Sequence, residues 1–245
     1  MMKIKSVIRN YWDWRSATFG LDADKSDAVA GRWASVFREL TVDVPGKRAL
    51  DVGTGTGQLA LYLAGAGFDV TAVDLSESMI SYARRNASTR GFDIDFRVGD
   101  AEALGFENDV FQVVVSRNLL WTLPNPEKAI LEWRRVLAPG GRLVVSDGLW
   151  ENTTWRRFHR LAFKVLKDRC RNGSLVSLRF FRSYFGLQRK LPLYEGVSLT
   201  NAVRFLREAG FKEIASYDTS RFEQYPYANG NRRNVSPFFI AYATA

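Results

Sequence analysis

Three glycines at alternate positions, Gly53, Gly55 and Gly57, follow a short apolar run and precede Gln58. Residues without a Cβ atom let the backbone turn tightly and come close to a ligand, and a helix that begins after the loop offers unpaired N–H groups. The dinucleotide-binding fingerprint needs its third glycine where this chain has Gln58, and no Gly-Lys-Ser/Thr of a phosphate-binding loop follows. The loop therefore indicates a nucleoside-containing ligand and gives little support to a pyrophosphate.

Aspartates stand at or near the ends of three predicted strands. Asp51 precedes the glycines, Asp74 follows Gly57 by 17 residues, and Asp100 follows the third predicted strand. Ligands bind at the carboxyl ends of strands in doubly wound sheets, and a carboxylate at position 74 can accept both hydroxyl donors of a ribose. An acid at this place also occurs in NAD sites, and Asp51 and Asp100 also fit the role of helix caps.

Strand and helix patterns alternate after a break at residues 44–47, which predicts a parallel sheet with right-handed crossovers. The chain before the break is predicted to be helical and contains the aromatic residues Tyr11, Trp12, Trp14 and Phe19. The predicted strands cover 48–52, 70–74, 94–98, 110–116, 142–146, 211–217 and 238–244, and the continuous apolar run Val113–Val115 predicts a buried parallel strand. The main predicted helices cover 58–66, 77–89, 126–137, 155–168 and 199–209, and Ser76 is the predicted cap of the helix over 77–89. The stretch 171–196 is poorly periodic and predicted to be mobile or irregular.

Basic residues are concentrated in one part of the chain. The 245 residues carry a net charge of +9, and 46% hydrophobic with 25% charged residues is the composition of a globular protein. Between Glu151 and Gly196 there are 11 Lys/Arg against 3 Asp/Glu, whereas the rest is nearly neutral. Such a segment is typical of a solvated helix face, of a site for an anionic acceptor, of contact with an anionic membrane surface, or of contact with nucleic acid.

Residue counts exclude several classes of site. Cys170 is the single cysteine and His159 the single histidine, which excludes a disulfide framework and a metal centre built from several cysteines or histidines. No run of 18 apolar residues is present, and the N-terminus lacks the apolar core of a secretory signal. These features predict a soluble protein of the cytoplasm without a bound metal.

Taken together, the motifs resemble class I S-adenosylmethionine-dependent methyltransferases, and most closely the small-molecule branch that includes ubiquinone/menaquinone C-methyltransferase-like proteins (methyltransferase type 11). The similarity runs from about residue 46 to residue 147. The matching motifs are Leu50–Gly57 for the family's first motif, Ala72–Ser76 for the second-strand acid, Gly99–Ala101 for the adenine-binding turn and Val136–Leu143 for the turn before the fifth strand.

The resemblance implies S-adenosylmethionine as cofactor and a Rossmann-like α/β fold. The expected sheet has seven mostly parallel strands with an antiparallel last hairpin, helices on both faces and a helical cap. A single methyltransferase domain is expected over 1–245, with an N-terminal helical cap over 1–44, a cofactor-binding core over 45–150, a basic helical lid over 151–196, and a C-terminal helix and strands over 197–245.

Residue roles also follow from the resemblance. The backbone of Gly53, Thr54 and Gly55 would pass the methionine and ribose portions of the cofactor. Asp51 would orient the methionyl ammonium through water or through the loop, and Asp74 would hold the ribose 2′ and 3′ hydroxyls.

On the adenine side, the resemblance implies that Leu75 and Met79 pack on the ring faces. Asp100 would accept a hydrogen bond from the adenine amino group, with the N–H of Ala101 beside it.

Ser116 would offer its carbonyl to the methionyl ammonium, and Tyr11 would close over the methionine end. Methyl transfer from a sulfonium mainly needs alignment of the nucleophile and exclusion of water, so the chain need not contain a general base. Candidates for a base are Asp13, His159 and Tyr11.

The expected acceptor is a small molecule, anionic or lipid-like. Enzymes that methylate nucleic-acid amino groups have Asn/Asp-Pro-Pro-Tyr/Phe after the fourth strand, where this chain has Arg117–Trp121, which argues against a nucleic-acid partner. Residues 11–15 differ from the N-terminal signature of the quinone enzymes. A nucleotide-dependent oxidoreductase and a non-catalytic S-adenosylmethionine-binding protein stay open as alternatives. The sequence does not determine the acceptor atom or the oligomeric state.

Overall fold

The structure, a computed structural model, describes residues 2–22, 27–149, 179–180, 182–221 and 238–245. Among these residues, no helix has both the length and the apolar character needed to cross a membrane. The predicted helix 155–168, His159 and Cys170 lie outside the described residues.

The described chain builds one sheet of seven strands flanked by helices. The strands are β1 (Arg48–Val52), β2 (Asp69–Asp74), β3 (Asp95–Val98), β4 (Phe111–Arg117), β5 (Leu137–Gly148), β6 (Lys212–Ser216) and β7 (Phe238–Thr244). The longer helices are α1 (Met2–Asp22), α2 (Asp27–Leu40), α3 (Gln58–Gly65), α4 (Glu77–Thr89), α5 (Pro126–Val136) and α6 (Leu199–Glu208).

The strand order is β3-β2-β1-β4-β5-β7-β6. Strands β1 to β5 pair in parallel, and β7 runs antiparallel to both β5 and β6. The predicted fold, mostly parallel with an antiparallel last hairpin, is confirmed. The order reverses between β1 and β4, and doubly wound sheets bind ligands in the crevice at such a reversal.

Alternating side chains along the central strands divide the hydrophobic core between the two faces of the sheet. One face buries Leu50, Val114 and Leu143 with residues of α5 and α6. The other face buries Ala49, Val113 and Val144 with residues of α2, α3 and α4. Strands buried on both faces read as continuous apolar runs, which is why the β4 sequence predicted a central strand.

Strand β5 departs from its predicted range by more than one residue. It begins at Leu137 and not at Arg142, because Leu137 already pairs with Phe111 before a register shift in the β4–β5 ladder. The described part of the stretch 171–196, predicted to be mobile or irregular, buries Tyr184 and Leu191. Apolar residues without regular spacing thus anchor this part of the chain.

Candidate functional site

The loop between β1 and α3 turns within a few residues because its glycines adopt left-handed conformations. Gly53 and Gly57 have φ angles of +74° and +86°, which L side chains rarely adopt. A Cβ atom on Gly53 would lie 2.7 Å from the Leu119 side chain, and one on Gly57 would lie 3.1 Å from the Cβ of Ala83. The amide of Gly53 donates to the carbonyl of Val73 at 2.8 Å, which fixes the loop at the carboxyl end of β2.

Asp51 holds this loop from inside the protein. Its side chain is buried, and its Oδ2 accepts hydrogen bonds from Thr54 Oγ1 at 2.6 Å and from the amide of Ala60 at 3.0 Å. Burial raises the pKa of Asp51 to about 6, although the Thr54 hydroxyl and the positive charge of Arg117 oppose the rise. This geometry fixes the position of the loop.

Asp74 joins the glycine loop to the turn that follows β2. Its Oδ2 accepts from the amide of Gly55 and its Oδ1 from the amide of Ser76, both at 2.9 Å. Burial, with a smaller contribution from the nearby charge of Asp13, raises the pKa of Asp74 to about 6, opposed by these amides. Each oxygen has a further lone pair, so the carboxylate has the capacity to accept the two hydroxyls of a ribose.

The start of α4 is organised by two side chains. Ser76 Oγ accepts from the amide of Met79 at 3.1 Å and donates to Asp13 Oδ1 at 2.6 Å. Asp13, on α1, also accepts from the amide of Ser78 at 3.3 Å. The predicted N-cap at Ser76 is confirmed, and Met79 is fully buried behind it. Asp13 therefore ties α1 to the N-terminus of α4.

Asp100 belongs to a polar cluster with Lys5 of α1. Lys5 Nζ lies 2.6 Å from Asp100 Oδ2 and 2.6 Å from Glu102 Oε2, while Asp100 Oδ1 accepts from the amide of Glu102 at 3.0 Å. The carbonyl of Ala101, between the two acids, accepts from Trp133 Nε1 at 3.0 Å. The Glu102 side chain is buried, and the positive charge of Lys5 compensates its negative charge. This contact holds the turn after β3 in place.

The end of β4 closes the other side of the glycine loop. Ser116 is buried and its Oγ donates to the carbonyl of Val52 at 2.9 Å, which links β4 to β1 directly before the loop. Leu119 follows β4 and contacts the loop at Gly53. Leu75, on the opposite side, is half-buried.

An aromatic cluster extends from α1 to the segment 180–194. Its described members are Tyr11, Trp12, Trp14, Trp121, Phe180, Tyr184 and Tyr194, whose neighbouring ring centroids lie 4.7–6.5 Å apart. Phe19 connects the cluster to the glycine loop, because its ring is 5.7 Å from Trp12 and its Cε1 is 3.8 Å from a Cβ placed on Gly55. The cluster thus borders the loop on the side of α1.

Two of the three candidate bases lie among the described residues, and their surroundings do not suit proton removal. Tyr11 is 4% exposed within the aromatic cluster, and burial raises the pKa of its hydroxyl to about 12. Asp13 already accepts the hydroxyl of Ser76 and the amide of Ser78. Tyr11 is therefore not a ready proton acceptor at neutral pH, and both contacts of Asp13 serve the start of α4.

The structure brings the residues singled out in the sequence to one edge of the sheet, at the carboxyl ends of β1 to β4. Sequence reasoning missed several contacts, made by Lys5, Phe19, Gln58, Glu102, Arg117 and Leu119. Gln58 did carry a signal, because it stands where a glycine of another fingerprint would be. Lys5 and Phe19 carried none, since an N-terminal helix does not show which edge of the sheet it will cover.

Comparison with known proteins finds relatives that match the region of this site. The family described as "Methyltransferase domain" matches residues 50–145. The chain is 41% identical over 116 residues to a demethylmenaquinone methyltransferase of Renibacterium salmoninarum, a match covering 47% of each chain. It is 35% identical over 110 residues to a ubiquinone biosynthesis O-methyltransferase of Coxiella burnetii, covering 45% of this chain and 47% of that protein. The matched region spans about half the length of these curated relatives.

A similar solved structure extends over nearly the whole fold. A SAM dependent methyltransferase from Aquifex aeolicus superposes with a TM-score of 0.60 over 92% of this chain and 95% of that chain, at 19% identity, which shows a shared fold. The sequence match covers the strands and loops that carry the glycines and the three acids. Residues 50–145 are therefore similar to a methyltransferase domain, and the chain shares the fold of a SAM dependent methyltransferase.

Proposed function

We propose that the protein transfers a methyl group from S-adenosylmethionine to a small, apolar acceptor that contains a flat ring. When bound, S-adenosylmethionine supplies a methyl group on a sulfonium sulfur, which the acceptor's nucleophile takes as the carbon–sulfur bond breaks and S-adenosylhomocysteine leaves. The family match supports the cofactor, and the aromatic border of the glycine loop supports the class of acceptor.

The cofactor side rests on three positions. Asp74 would accept the ribose hydroxyls, and the Gly53–Gly55 backbone would pass the methionine and ribose portions. Asp100 would accept from the adenine amino group beside Ala101, with Leu75 and Met79 against the ring. These assignments come from the family resemblance, and the shared edge position of the residues supports them. The same geometry does not favour an oxidoreductase, because Gln58 occupies the third glycine position of that fingerprint.

The observation that carries the acceptor class is the set of half-buried apolar side chains against the loop. Trp12, Phe19 and Leu119 are each half-buried, and Phe19 and Leu119 approach Gly55 and Gly53 respectively. Partly exposed aromatic faces next to the cofactor position suit a flat apolar ring. The electron-rich faces also tolerate the positive charge on sulfur before transfer.

The names of the relatives point in the same direction. Demethylmenaquinone and ubiquinone-biosynthesis methyltransferases are named for ring compounds of lipid type. The excess of basic residues over 151–196 instead favours a carboxylate or phosphate on the acceptor, or contact with an anionic membrane surface. We prefer a ring acceptor to an anionic one, because the aromatic contacts beside the glycine loop support it. A cytoplasmic location stays a prediction.

The chemistry asks little more of the chain than alignment and a dry site. Transfer from a sulfonium needs the nucleophile behind the methyl group and needs water kept away. The aromatic cluster provides an apolar wall for this purpose. A phenol or hydroquinone nucleophile would lose its proton to solvent water, because Tyr11, whose pKa is raised to about 12, stays protonated at neutral pH and does not accept it.

The first test is calorimetric titration of the purified chain with S-adenosylhomocysteine and, separately, with NAD. We expect binding of S-adenosylhomocysteine and no heat from NAD. Binding of NAD alone would overturn the proposal and make Asp74 a dinucleotide ligand. Absence of binding for both would contradict the cofactor assignment in the isolated chain.

The acceptor is tested by transfer of a labelled methyl group to three panels: lipid-tailed hydroquinones in vesicles, water-soluble phenols, and aliphatic carboxylates. Transfer to either ring panel supports the proposal, and the two ring panels separate a lipid source from a soluble one. Transfer only to the carboxylates would contradict it.

On the best ring acceptor, Trp12→Leu should raise KM for the acceptor by roughly fivefold, since aromatic contacts are worth about 1 kcal/mol. It should leave S-adenosylhomocysteine binding nearly unchanged. Trp14→Leu is the matched control on the same helix, because Trp14 is stacked under Arg179 and has no described contact with the loop.

A further inference from the structure

Arg117 ends β4 beneath the glycine loop, and three elements meet around its guanidinium. The guanidinium carbon lies 5.5 Å from the ring centroid of Trp33 on α2. Its Nη2 donates to Oε1 of Gln58, the first residue of α3. Trp33 is fully buried, so the stacking surface is fixed by the core. A planar guanidinium with one face on an aromatic ring and its edge on an acceptor has little freedom to move.

Gln58 passes this constraint to the loop. It directly follows Gly57, whose left-handed backbone begins α3, and its Nε2 donates to Tyr62 Oη one turn further along at 3.0 Å. The first turn of α3 is therefore held from the side by Arg117 and along the helix by Tyr62. A shift of Gln58 would move Gly57 and the loop before it.

Arg117 also supplies a positive charge that acts on the buried Asp51. The Asp51 carboxylate accepts hydrogen bonds from the neutral donors of Thr54 and of Ala60 on α3. The negative charge of Asp74 on β2 raises its pKa, and the positive charge of Arg117 on β4 lowers it. Asp74 in turn faces Asp13 of α1. Three acids thus crowd one edge of the sheet, and Arg117 is the cation among the charged groups that act on Asp51 in the described structure.

We propose that Arg117 is a positioning residue for cofactor binding: stacked on Trp33, it fixes Gln58 at the start of α3 and holds its positive charge near the Asp51 carboxylate under the loop. The inference rests on the proposed cofactor, but the effect of Arg117 on Asp51 does not. Gln58, which departs from the dinucleotide fingerprint, thus links Arg117 to the start of α3. The helix α2 supplies the Trp33 ring on which Arg117 stacks.

The experiment compares the wild-type chain with Arg117→Met, Arg117→Lys and Gln58→Met. Arg85→Met is the matched control, since Arg85 stacks on Tyr82 at 5.4 Å on the exposed side of α4. Affinity for S-adenosylhomocysteine is measured by calorimetry between about pH 5 and pH 8. The Asp51 carboxyl is titrated by carbon-13 NMR without cofactor and assigned with Asp51→Asn.

We expect Arg117→Met to raise the titration midpoint of Asp51 by about one pH unit and to weaken S-adenosylhomocysteine binding at neutral pH by roughly tenfold. Arg117→Lys should keep the midpoint close to that of wild type, because it keeps the charge, while it weakens binding through the lost stacking. Gln58→Met should weaken binding at every pH without a shift of the midpoint. Arg85→Met should change neither quantity.

An unchanged Asp51 midpoint in folded Arg117→Met would overturn the proposal, even if binding were weaker, since packing alone would explain that loss. If Arg117→Met does not fold, the comparison of Arg117→Lys with Gln58→Met decides, and wild-type affinity in both contradicts the positioning role. Failure of the wild-type chain to bind S-adenosylhomocysteine would overturn the proposed function, whereas the NMR titration would still test the action of Arg117 on Asp51.

Discussion

At the scale of single residues, Asp74 has a structural role in the loop and, by our proposal, a binding role in the same carboxylate. Its two oxygens each accept one backbone amide, from Gly55 in the glycine loop and from Ser76 in the next turn. This arrangement fixes the orientation of the carboxylate before any ligand arrives. Preorganised acceptors lose less entropy on binding, which favours tight recognition of paired hydroxyls.

We expect Asp74→Ala to weaken binding of S-adenosylhomocysteine by about 1.5–3 kcal/mol, the usual value of hydrogen bonds to a charged group. The measurement is calorimetry on the folded variant at neutral pH. Asp69→Ala is the matched control, since Asp69 begins the same strand and is exposed. Equal affinity of Asp74→Ala and the control variant would sink the ribose assignment.

At the scale of elements, the helix α4 is fastened at its first turn and α1 is fastened to it. Ser76 caps α4 and bonds to Asp13, and Lys5 near the other end of α1 pairs with Asp100 and Glu102. The helix α1 thus contacts both turns that carry predicted cofactor residues. Its apolar side contributes Ile8 and Tyr11 to the core at the same time. Movement of α1 would therefore disturb the site and its aromatic border together.

Two serines offer a matched test of this coupling, because each caps a helix through its own Oγ. Ser76 accepts from the amide of Met79 and Ser198 from the amide of Asn201, both at 3.1 Å. We expect Ser76→Ala and Ser198→Ala each to lower the free energy of unfolding by about 1 kcal/mol in urea titrations. We expect Ser76→Ala alone to weaken S-adenosylhomocysteine binding. Equal effects of both variants on binding would contradict the coupling of this cap to the site.

At the scale of the whole molecule, buried acids at the site oppose stability at neutral pH. Asp51 has a native pKa of about 6, above the value near 3.9 in an unfolded chain, so the native state holds its proton more tightly. Its contribution to the free energy of unfolding is therefore present below about pH 4 and is lost as the pH rises through 6. Glu132 behaves in the opposite way, because its bond to Arg135 lowers its pKa.

Since other acids also titrate, we predict the difference between Asp51→Asn and wild type. Relative to wild type, the variant should gain up to about 2–3 kcal/mol in free energy of unfolding between pH 4 and pH 7, which corresponds to a pKa difference of about two units. Urea titrations at several pH values measure the difference. Asp69→Asn, exposed on β2, should show no such trend. A difference between Asp51→Asn and wild type that is independent of pH would contradict the raised pKa.

The order of the elements, the glycine loop and the edge at which the acids meet could be predicted from the sequence alone. These features follow from local patterns: apolar runs for strands, helical spacing, and a capping serine before α4 that the structure confirms. The parallel order of strands then places Asp51, Asp74 and Asp100 at one edge without further information. The boundary of β5 escaped prediction because it depends on pairing with Phe111.

The distant side chains that complete the site come together through tertiary packing alone. Lys5 meets Asp100 across 95 residues, Asp13 meets Ser76 across 63, and Arg117 meets Gln58 across 59. No local propensity encodes such pairs, because they arise when separately formed elements pack against a common sheet edge. The spacing of apolar residues predicts the N-terminal helices, but it does not show where they pack. The assembled core, and not the order of residues, placed them over the loop.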